Sequence, residues 1–496
     1  MPYDWTDEQQ TLFETVEAKL PDGTPKHTLI KVEAVAGASK TTSLVEVAKQ
    51  FKTLNPAGTF RYMVFGNANA AEARQEFKTT AICSTTHALA YHYIIRAKRY
   101  PMSSNLLPFL SWRDIPKQIK IPFGATNLVL ETIESYCNSV APTFNEFLAL
   151  GESIPAKIAH PAKQILLAMA TGKMRAPHYF YLKLFQKDLA TGKLEVPEAD
   201  ILAIDEAGDL TPLTLDIFHH LKAKQKIIVG DSAQEIMSFM GCVNAFDHYR
   251  NKGTTVTLSQ SFRVTTKLAQ GIRHFVNTTF DPSMVFLGHT YPPNPTITTE
   301  AIITRTNSSL VAQMIDLNKL NKPFRLISKA KTKQIFKYPL FLMYTKAGAK
   351  QFDDELKSLQ KDVDTWYRLK ALNRTADKLY PYLLKENSTN PALESAINLI
   401  MTYSFEDIDT AYKSADAHKN VNCNLILMTA HSSKGLTVDK VTLADDMNSS
   451  IKKVMIKIGM KHPLKAEEIT ELKLYYVATT RCRHVLDNAT YIPQQS

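Results

Sequence analysis

The sequence predicts an α/β protein built on two parallel-sheet domains, each interrupted by a helical insert. Three observations carry that prediction. Short, β-branched apolar runs followed by helical periodicity occur in two separate stretches of the 496 residues. The first run, Leu29–Val35, feeds a turn of small residues and then Lys40-Thr41. A later run, Ile201–Ile204, ends in two carboxylates, Asp205 and Glu206.

Taken in order, Leu29–Val35, Tyr62–Phe65, Ile201–Ile204 and Ile227–Val229 are apolar runs bounded by polar residues or Gly, the pattern of strands buried on both faces. A second set follows at Val256–Leu258, Ala301–Thr304, Leu425–Met428 and Val441–Leu443. The two sheets are therefore expected at about 1–250 and about 255–496. Each stretch is interrupted by a helical pattern, the first over 95–190 (Asn127–Ser139 and Ala162–Ala170) and the second over 335–420 (Asp353–Leu372 and Pro391–Tyr403). This gives one domain of 1–94 with 191–252, carrying insert 95–190, and another of 253–334 with 421–496, carrying insert 335–420. Tyr291-Pro292-Pro293-Asn294-Pro295 reads as a loop.

Composition narrows the class of function. With 44% hydrophobic and 22% charged residues the chain is not intrinsically disordered. It has no apolar run near the ~18 residues of a membrane span, and its acidic start lacks the order of a signal peptide, so an intracellular protein is expected. Five cysteines without a Cys-x-x-Cys pair argue against a disulfide framework or zinc ribbon. Cys482 and His484 lack the further ligands a metal site needs. The excess of 59 Lys+Arg over 48 Asp+Glu, net +11, suits a nucleic-acid partner but is shared by many soluble proteins.

Ala34–Thr42 is where chemistry first shows. A strand, a tight small-residue turn, Lys-Thr and a helix form a phosphate-binding loop when backbone N–H groups at the helix start hold phosphate oxygens. Lys40 would reach the β/γ oxygens and Thr41 would ligate Mg²⁺. The usual pattern has Gly where Ala34 and Ser39 stand, so an ordinary strand–turn–helix fits this segment equally well on its own. Asp205-Glu206 shifts the balance: one carboxylate holds Mg²⁺ and its neighbour polarises the attacking water. Gly230-Asp231-Ser232-Ala233-Gln234 downstream adds a third matching piece.

With these residues in view, the chain resembles superfamily 1 DNA helicases of the UvrD/Rep type, and within them the F-box DNA helicase branch, although no F-box is seen. Thr6-Asp7-Glu8-Gln9 resembles the adenine-reading Q motif, with Gln9 as reader, and the loop around Lys40 resembles motif I. Phe65–Glu72 and Ser84–Ala90 resemble motifs Ia and Ib, which touch single-stranded DNA in the family. Asp205–Asp209, Val229–Ile236 and Leu258–Arg263 resemble motifs II, III and IV; Thr429–Leu436 and Leu474–Arg481 resemble V and VI. His178 with Tyr181–Leu184 is the feature that suggests the F-box branch.

The resemblance implies two RecA-like P-loop domains with helical inserts, the four-part plan 1A, 1B, 2A and 2B. It also implies an ATP-dependent helicase moving 3′ to 5′ on single-stranded DNA. The implied catalytic set is Lys40, Thr41, Asp205, Glu206, Gln234, Arg263 and Arg481, with ATP and Mg²⁺ as cofactors and Thr41 and Asp205 as metal ligands. Nucleotide contacts would come from Gln9, Ala36, Gly37, Ala38, Ser39, Lys40, Thr41, Thr42, Arg263, Gly435 and Arg481. DNA contacts would come from Asn67, Thr86, His87, Phe239, Arg305, Asn307, His431 and Lys434. Single-stranded DNA and ss/ds junctions are the expected partners, together with replication or repair proteins, no membrane, and a monomeric state. The expected location is the cytoplasm of a bacterial or phage-infected cell, or the nucleus in a eukaryote.

Taken singly, many of these residues have plainer roles. Arg481 would be a surface arginine, His87 and His431 polar-network residues, Phe239 a core residue, and Lys452, Lys453, Lys457 and Lys461 a solvated face. The sequence also departs from the family. Ala34 and Ser39 replace glycines, Gly208 stands for Gln in motif II, Met237 and Met240 stand for an aromatic and an arginine in motif III, and Thr437 replaces a ribose-binding Glu. Every main catalytic position is kept, so an active but divergent ATPase is expected. The other readings are a translocase that strips proteins from single strands and unwinds little, and a non-catalytic DNA-binding scaffold.

Overall fold

The computed structural model describes residues 4–122, 124–150, 154–238, 241–328, 335–336, 339–340 and 391–493. The chain divides into two units, Met1–Ser259 and Gln260–Ser496.

In the first unit, β1 (Leu29–Ala34), β2 (Phe60–Val64), β3 (Ile82–Thr85), β4 (Ala199–Ile204), β5 (Ala223–Gly230) and β6 (Thr254–Leu258) form one sheet in the order β3-β2-β4-β5-β1-β6. All of its pairings are parallel. β1 has Ile30 and Val32 at 0% exposure on one face and Lys31 buried on the other, so it is covered on both faces. One of the expected strands changes sheet. Val256–Leu258, expected in the second set, pairs with β1 from Ile30↔Thr254 to Ala34↔Leu258 and closes the edge of the first sheet.

Between β3 and β4 runs a helical stretch of Thr86–Tyr91, Thr126–Asn138, Phe144–Leu150, Ala156–Ala170 and His178–Ala190, the last four within the stretch expected as the first insert. Its apolar faces, including Val129, Ile133, Ile165 and Phe185, are buried in one core with Leu202 and Ile204 of β4. Lys183 is also buried there, donating to the carbonyls of Ser139 and Ala141 at 2.9 and 2.6 Å. Loss of water pulls its ammonium pKa down to about 8.

In the second unit, β7 (Gln260–Thr265) and β8 (Leu287–His289) pair with each other. β9 (Glu300–Thr304), β10 (Arg325–Ile327), β11 (Leu425–Thr429), β12 (Val438–Leu443) and β13 (Cys482–Asp487) form a second parallel sheet, ordered β10-β11-β9-β12-β13. Helices Pro391–Thr402 and Phe405–Ser414 lie in the stretch expected as the second insert. The helix expected over Asp353–Leu372 lies outside the described residues. The core of this unit gathers Leu310, Met314, Phe324, Ile397, Ile400 and Leu427.

Strand ends and helix starts are joined by the same device in both units. Thr85, Thr265 and Thr429 end β3, β7 and β11, and each hydroxyl accepts an N–H of the next helix's first turn. Such a cap satisfies a donor the helix cannot pair itself. Among the described residues no helix is long and apolar enough to cross a membrane.

Candidate active site

The phosphate-binding loop follows β1 and is shaped by its small residues. Ala36 and Ala38 are buried, Gly37 stands at φ 75°, and Ser39 precedes helix Lys40–Leu54 in the left-handed region at φ 56°, ψ 38°. Glycine is the residue this geometry favours, so Ser39 holds the turn at a cost of about 1–2 kcal/mol. Lys40, Thr41 and Thr42 form the first turn of the helix and are half-buried. Backbone N–H groups there have no intrahelical acceptor, the condition for anion binding.

Asp205 and Glu206 leave the end of β4 beside this turn. Asp205 Oδ1 accepts the Glu206 N–H at 2.8 Å, and Oδ2 accepts the Tyr62 hydroxyl at 2.6 Å. Glu206 itself adopts φ 55°. Burial and the Glu206 charge push the Asp205 carboxyl above its ordinary value, while Lys40 and the Tyr62 hydrogen bond oppose them. Thr41 also lies beside the Tyr62 hydroxyl. A hydroxyl and a repelling carboxylate pair, meeting beside a lysine, make a donor set that fits a hard divalent cation. Among the described residues there is no cluster of three or more His, Cys, Asp or Glu able to hold a metal. Magnesium needs none when one or two carboxylates act with phosphate oxygens.

The third piece follows β5. Gly230 and Gly208 bring it close: a Cβ on Gly230 would stand 2.9 Å from the Ala207 nitrogen, and one on Gly208 would stand 3.2 Å from the Asp231 carbonyl oxygen. The small residue at 208, where the resembled pattern has Gln, thus meets a tight backbone approach. Gln234 is buried and donates to Asp231 Oδ2 at 2.6 Å, and Asp209 accepts the Met237 N–H at 3.0 Å.

Gln9 lies on helix Asp7–Glu17, buried at 3% exposure. Its amide donates to Ser43 Oγ at 2.8 Å and accepts the Thr6 N–H at 3.1 Å, tying the N-terminal helix to the one after the loop. Glu8 accepts both the N–H and the hydroxyl of Ser259, each at 2.6 Å. Asn67 is exposed at the start of helix Asn67–Phe77. Thr86 is buried and His87 exposed at the start of helix Thr86–Tyr91. The His87 ring meets Tyr181 at 6.0 Å, and Tyr181 meets His178 at 5.9 Å. Partial withdrawal of the ring from water, together with the charge of His178, lowers the His87 pKa. Phe239 and Met240 lie outside the described residues.

In the second unit two arginines converge on one residue. Arg263 of β7 donates to the Thr480 carbonyl at 3.3 Å, and buried Arg481 donates to the Thr480 hydroxyl at 3.1 Å and the Val477 carbonyl at 2.8 Å. Arg481 is 1% exposed, not the surface residue a lone arginine suggests. Arg305 follows β9 and forms a bidentate pair with Glu471 of helix Ala466–Thr479, through Nε at 2.7 Å and a shorter Nη2 contact. Its backbone N–H donates to Asp446. Asn307 is exposed at the start of helix Asn307–Lys319. His431 lies in helix Ala430–Ser433, Lys434 follows it, and Gly435 stands at φ 92°. Both His431 and Lys434 are half-buried.

Tyr62 and Glu8 are the site residues that the sequence did not single out. Tyr62 sits inside an ordinary apolar strand run, and its partner Asp205 is far along the chain. Only the parallel pairing of β2 with β4, Tyr62 opposite Ala203, brings them together.

Fold and site together define a P-loop nucleotide-binding protein of two parallel-sheet units. A family model described as an AAA domain matches residues 20–240, the stretch from ahead of β1 to beyond Gln234. The chain is 26% identical over 96% of its length to F-box DNA helicase protein 1 of Schizosaccharomyces pombe, covering 56% of that protein. It is 24% identical over 92% of its length to F-box DNA helicase 1 of Gallus gallus, covering 47% of that protein. The chain therefore spans about half the length of the curated relatives it matches. These likenesses bear out the resemblance to superfamily 1 helicases of the F-box DNA helicase branch.

Proposed function

We propose that the chain is an ATP-dependent DNA helicase that moves 3′ to 5′ on single-stranded DNA. The reading rests above all on the meeting of Thr41, Lys40 and the Asp205–Glu206 pair at the phosphate-binding loop. In it the loop and Lys40 bind the β/γ-phosphates of ATP, Thr41 and Asp205 hold Mg²⁺, and Glu206 takes the proton of the attacking water. The cation, when bound, would neutralise phosphate charge. Arg263 and Arg481, from the second unit, stabilise charge on the transferred phosphoryl group, and Gln234 senses it. Hydrolysis would then drive steps along a strand held by its backbone and by stacking, without much sequence preference.

Asn67, Thr86, His87, Phe239, Asn307, His431 and Lys434 are proposed contacts to that strand. Arg305 is a weaker candidate, because its guanidinium is already held by Glu471. The substrate would be single-stranded DNA and ss/ds junctions, and the working form a monomer, with replication or repair proteins as partners. Both relatives are eukaryotic, which favours a nuclear setting and lends nothing to a bacterial or phage one.

The experiment is ATP turnover with and without single-stranded DNA, for the wild type and Lys40→Ala, alongside duplexes carrying 3′ or 5′ tails. Expected are DNA-stimulated turnover, a loss of at least ~10³-fold in the variant, and unwinding from 3′ tails. Unwinding from 5′ tails alone would overturn the polarity. Stimulated turnover that displaces bound protein without separating strands would favour the translocase reading. Nucleotide binding without turnover in the wild type would leave a DNA-binding scaffold.

A further inference from the structure

Tyr62 is a buried polar group that the proposed chemistry does not yet use. Its side chain is 1% exposed, and its ring lies 4.6 Å from that of Phe77, so packing fixes where the hydroxyl points. That hydroxyl donates to Asp205 Oδ2 at 2.6 Å, with the Thr41 side chain beside it. Asp205 Oδ1 is meanwhile engaged by the Glu206 N–H. A carboxylate held through both oxygens has lost its freedom to rotate, and the entropy of ordering it is spent before any ligand arrives.

We propose that Tyr62 is a positioning residue for the metal–nucleotide complex, its hydroxyl fixing the carboxylate of Asp205, one of the two proposed cation donors, in place. The inference rests on the reading of this site as the Mg²⁺-ATP site. The phenol supplies the proton of this bond and the carboxylate accepts it. Groups that orient a metal's ligands from behind typically contribute about 10–100-fold to metal affinity. A tyrosine that only fills the core would instead contribute to folding, and the cation dependence of nucleotide binding would not notice its hydroxyl.

The test uses the full chain as wild type, Tyr62→Phe, Asp205→Asn and the double variant. Affinity for a fluorescent ADP analogue is measured in EDTA and across a Mg²⁺ titration. Dividing each protein's affinity in Mg²⁺ by its own value in EDTA removes any difference in folded fraction. Tyr62→Phe is expected to leave binding in EDTA unchanged and to raise the Mg²⁺ midpoint by about 10-fold. In the Asp205→Asn background the same change should add less than about twofold, because the residue it orients is already altered. An unchanged Mg²⁺ midpoint in Tyr62→Phe, or full effects that add in the double variant, would overturn the positioning role. A wild type whose ADP affinity ignores Mg²⁺ would overturn the site reading underneath it, a separate and recognisable failure.

Discussion

Ser39 and Glu206 are non-glycine residues held in the left-handed region, at φ 56° and 55°, on two segments of one site. Strain of this kind persists where surrounding structure over-determines it. The two differ in what their side chains do. The Ser39 side chain makes no capping bond to the helix it precedes, so its removal forfeits no hydrogen bond there. Ser39→Gly should therefore relieve strain, and part of that gain is offset by the greater freedom of glycine in the unfolded chain. The expected outcome is a net stabilisation of up to about 1 kcal/mol in urea unfolding, with tighter ADP binding. A destabilised Ser39→Gly would mean that the serine contributes something its geometry does not reveal. What the sequence made legible at this scale was local: Lys40, Asp205 and Glu206 stand in short, recognisable segments. Tyr62 and the Arg305–Glu471 pair were not legible, because each depends on a partner more than 100 residues away.

At the scale of elements, the second sheet hangs on a single carboxylate. Asp439 of β12 is 3% exposed, and its Oδ2 accepts the N–H and hydroxyl of Thr298 and of Thr299 at 2.7–3.0 Å. Arg483 donates to Oδ1 at 3.1 Å. The two threonines lead into β9 and Arg483 lies in β13, so this carboxylate joins the chain around three adjacent strands. Burial alone would raise its pKa, but the hydrogen bonds from Thr298 and Thr299 outweigh it and hold the carboxyl well below its ordinary value. A depressed folded pKa contributes stability that is present above the unfolded value, near 4, and lost as pH falls through the folded one. Asp439→Asn should cost about 2–4 kcal/mol at pH 7, and the gap to wild type should shrink below about pH 4. A gap independent of pH in urea melts would show that the charge is not what matters. The positions of β9 and β12 could be read from their apolar runs; the clamp between them could not, because Asp439 looks like any polar residue in a strand.

At the scale of the whole molecule, β6 decides where the first unit ends. Its run at Val256–Leu258 resembles the strands that follow it in sequence, and periodicity alone cannot say which sheet a strand joins. Register can: all five residues of β6 pair with β1, the strand that leads into the phosphate-binding loop, and the Val35 N–H donates to the Leu258 carbonyl at 3.0 Å. Ser259, just beyond, holds Glu8 of the N-terminal helix. A fragment of residues 1–259 keeps this edge, whereas 1–252 exposes β1 and loses the Glu8 anchor. An unpaired edge strand beside the loop invites association between chains. The 1–259 fragment should therefore be monomeric and cooperative in unfolding, and should bind ADP with Mg²⁺; the shorter one should melt earlier or aggregate. Because Arg263 and Arg481 belong to the other unit, the 1–259 fragment should also turn ATP over at least ~10³-fold more slowly than the full chain, with no response to DNA. DNA-stimulated turnover by 1–259 alone would remove both arginines from the catalytic set and place the whole chemistry in the first sheet.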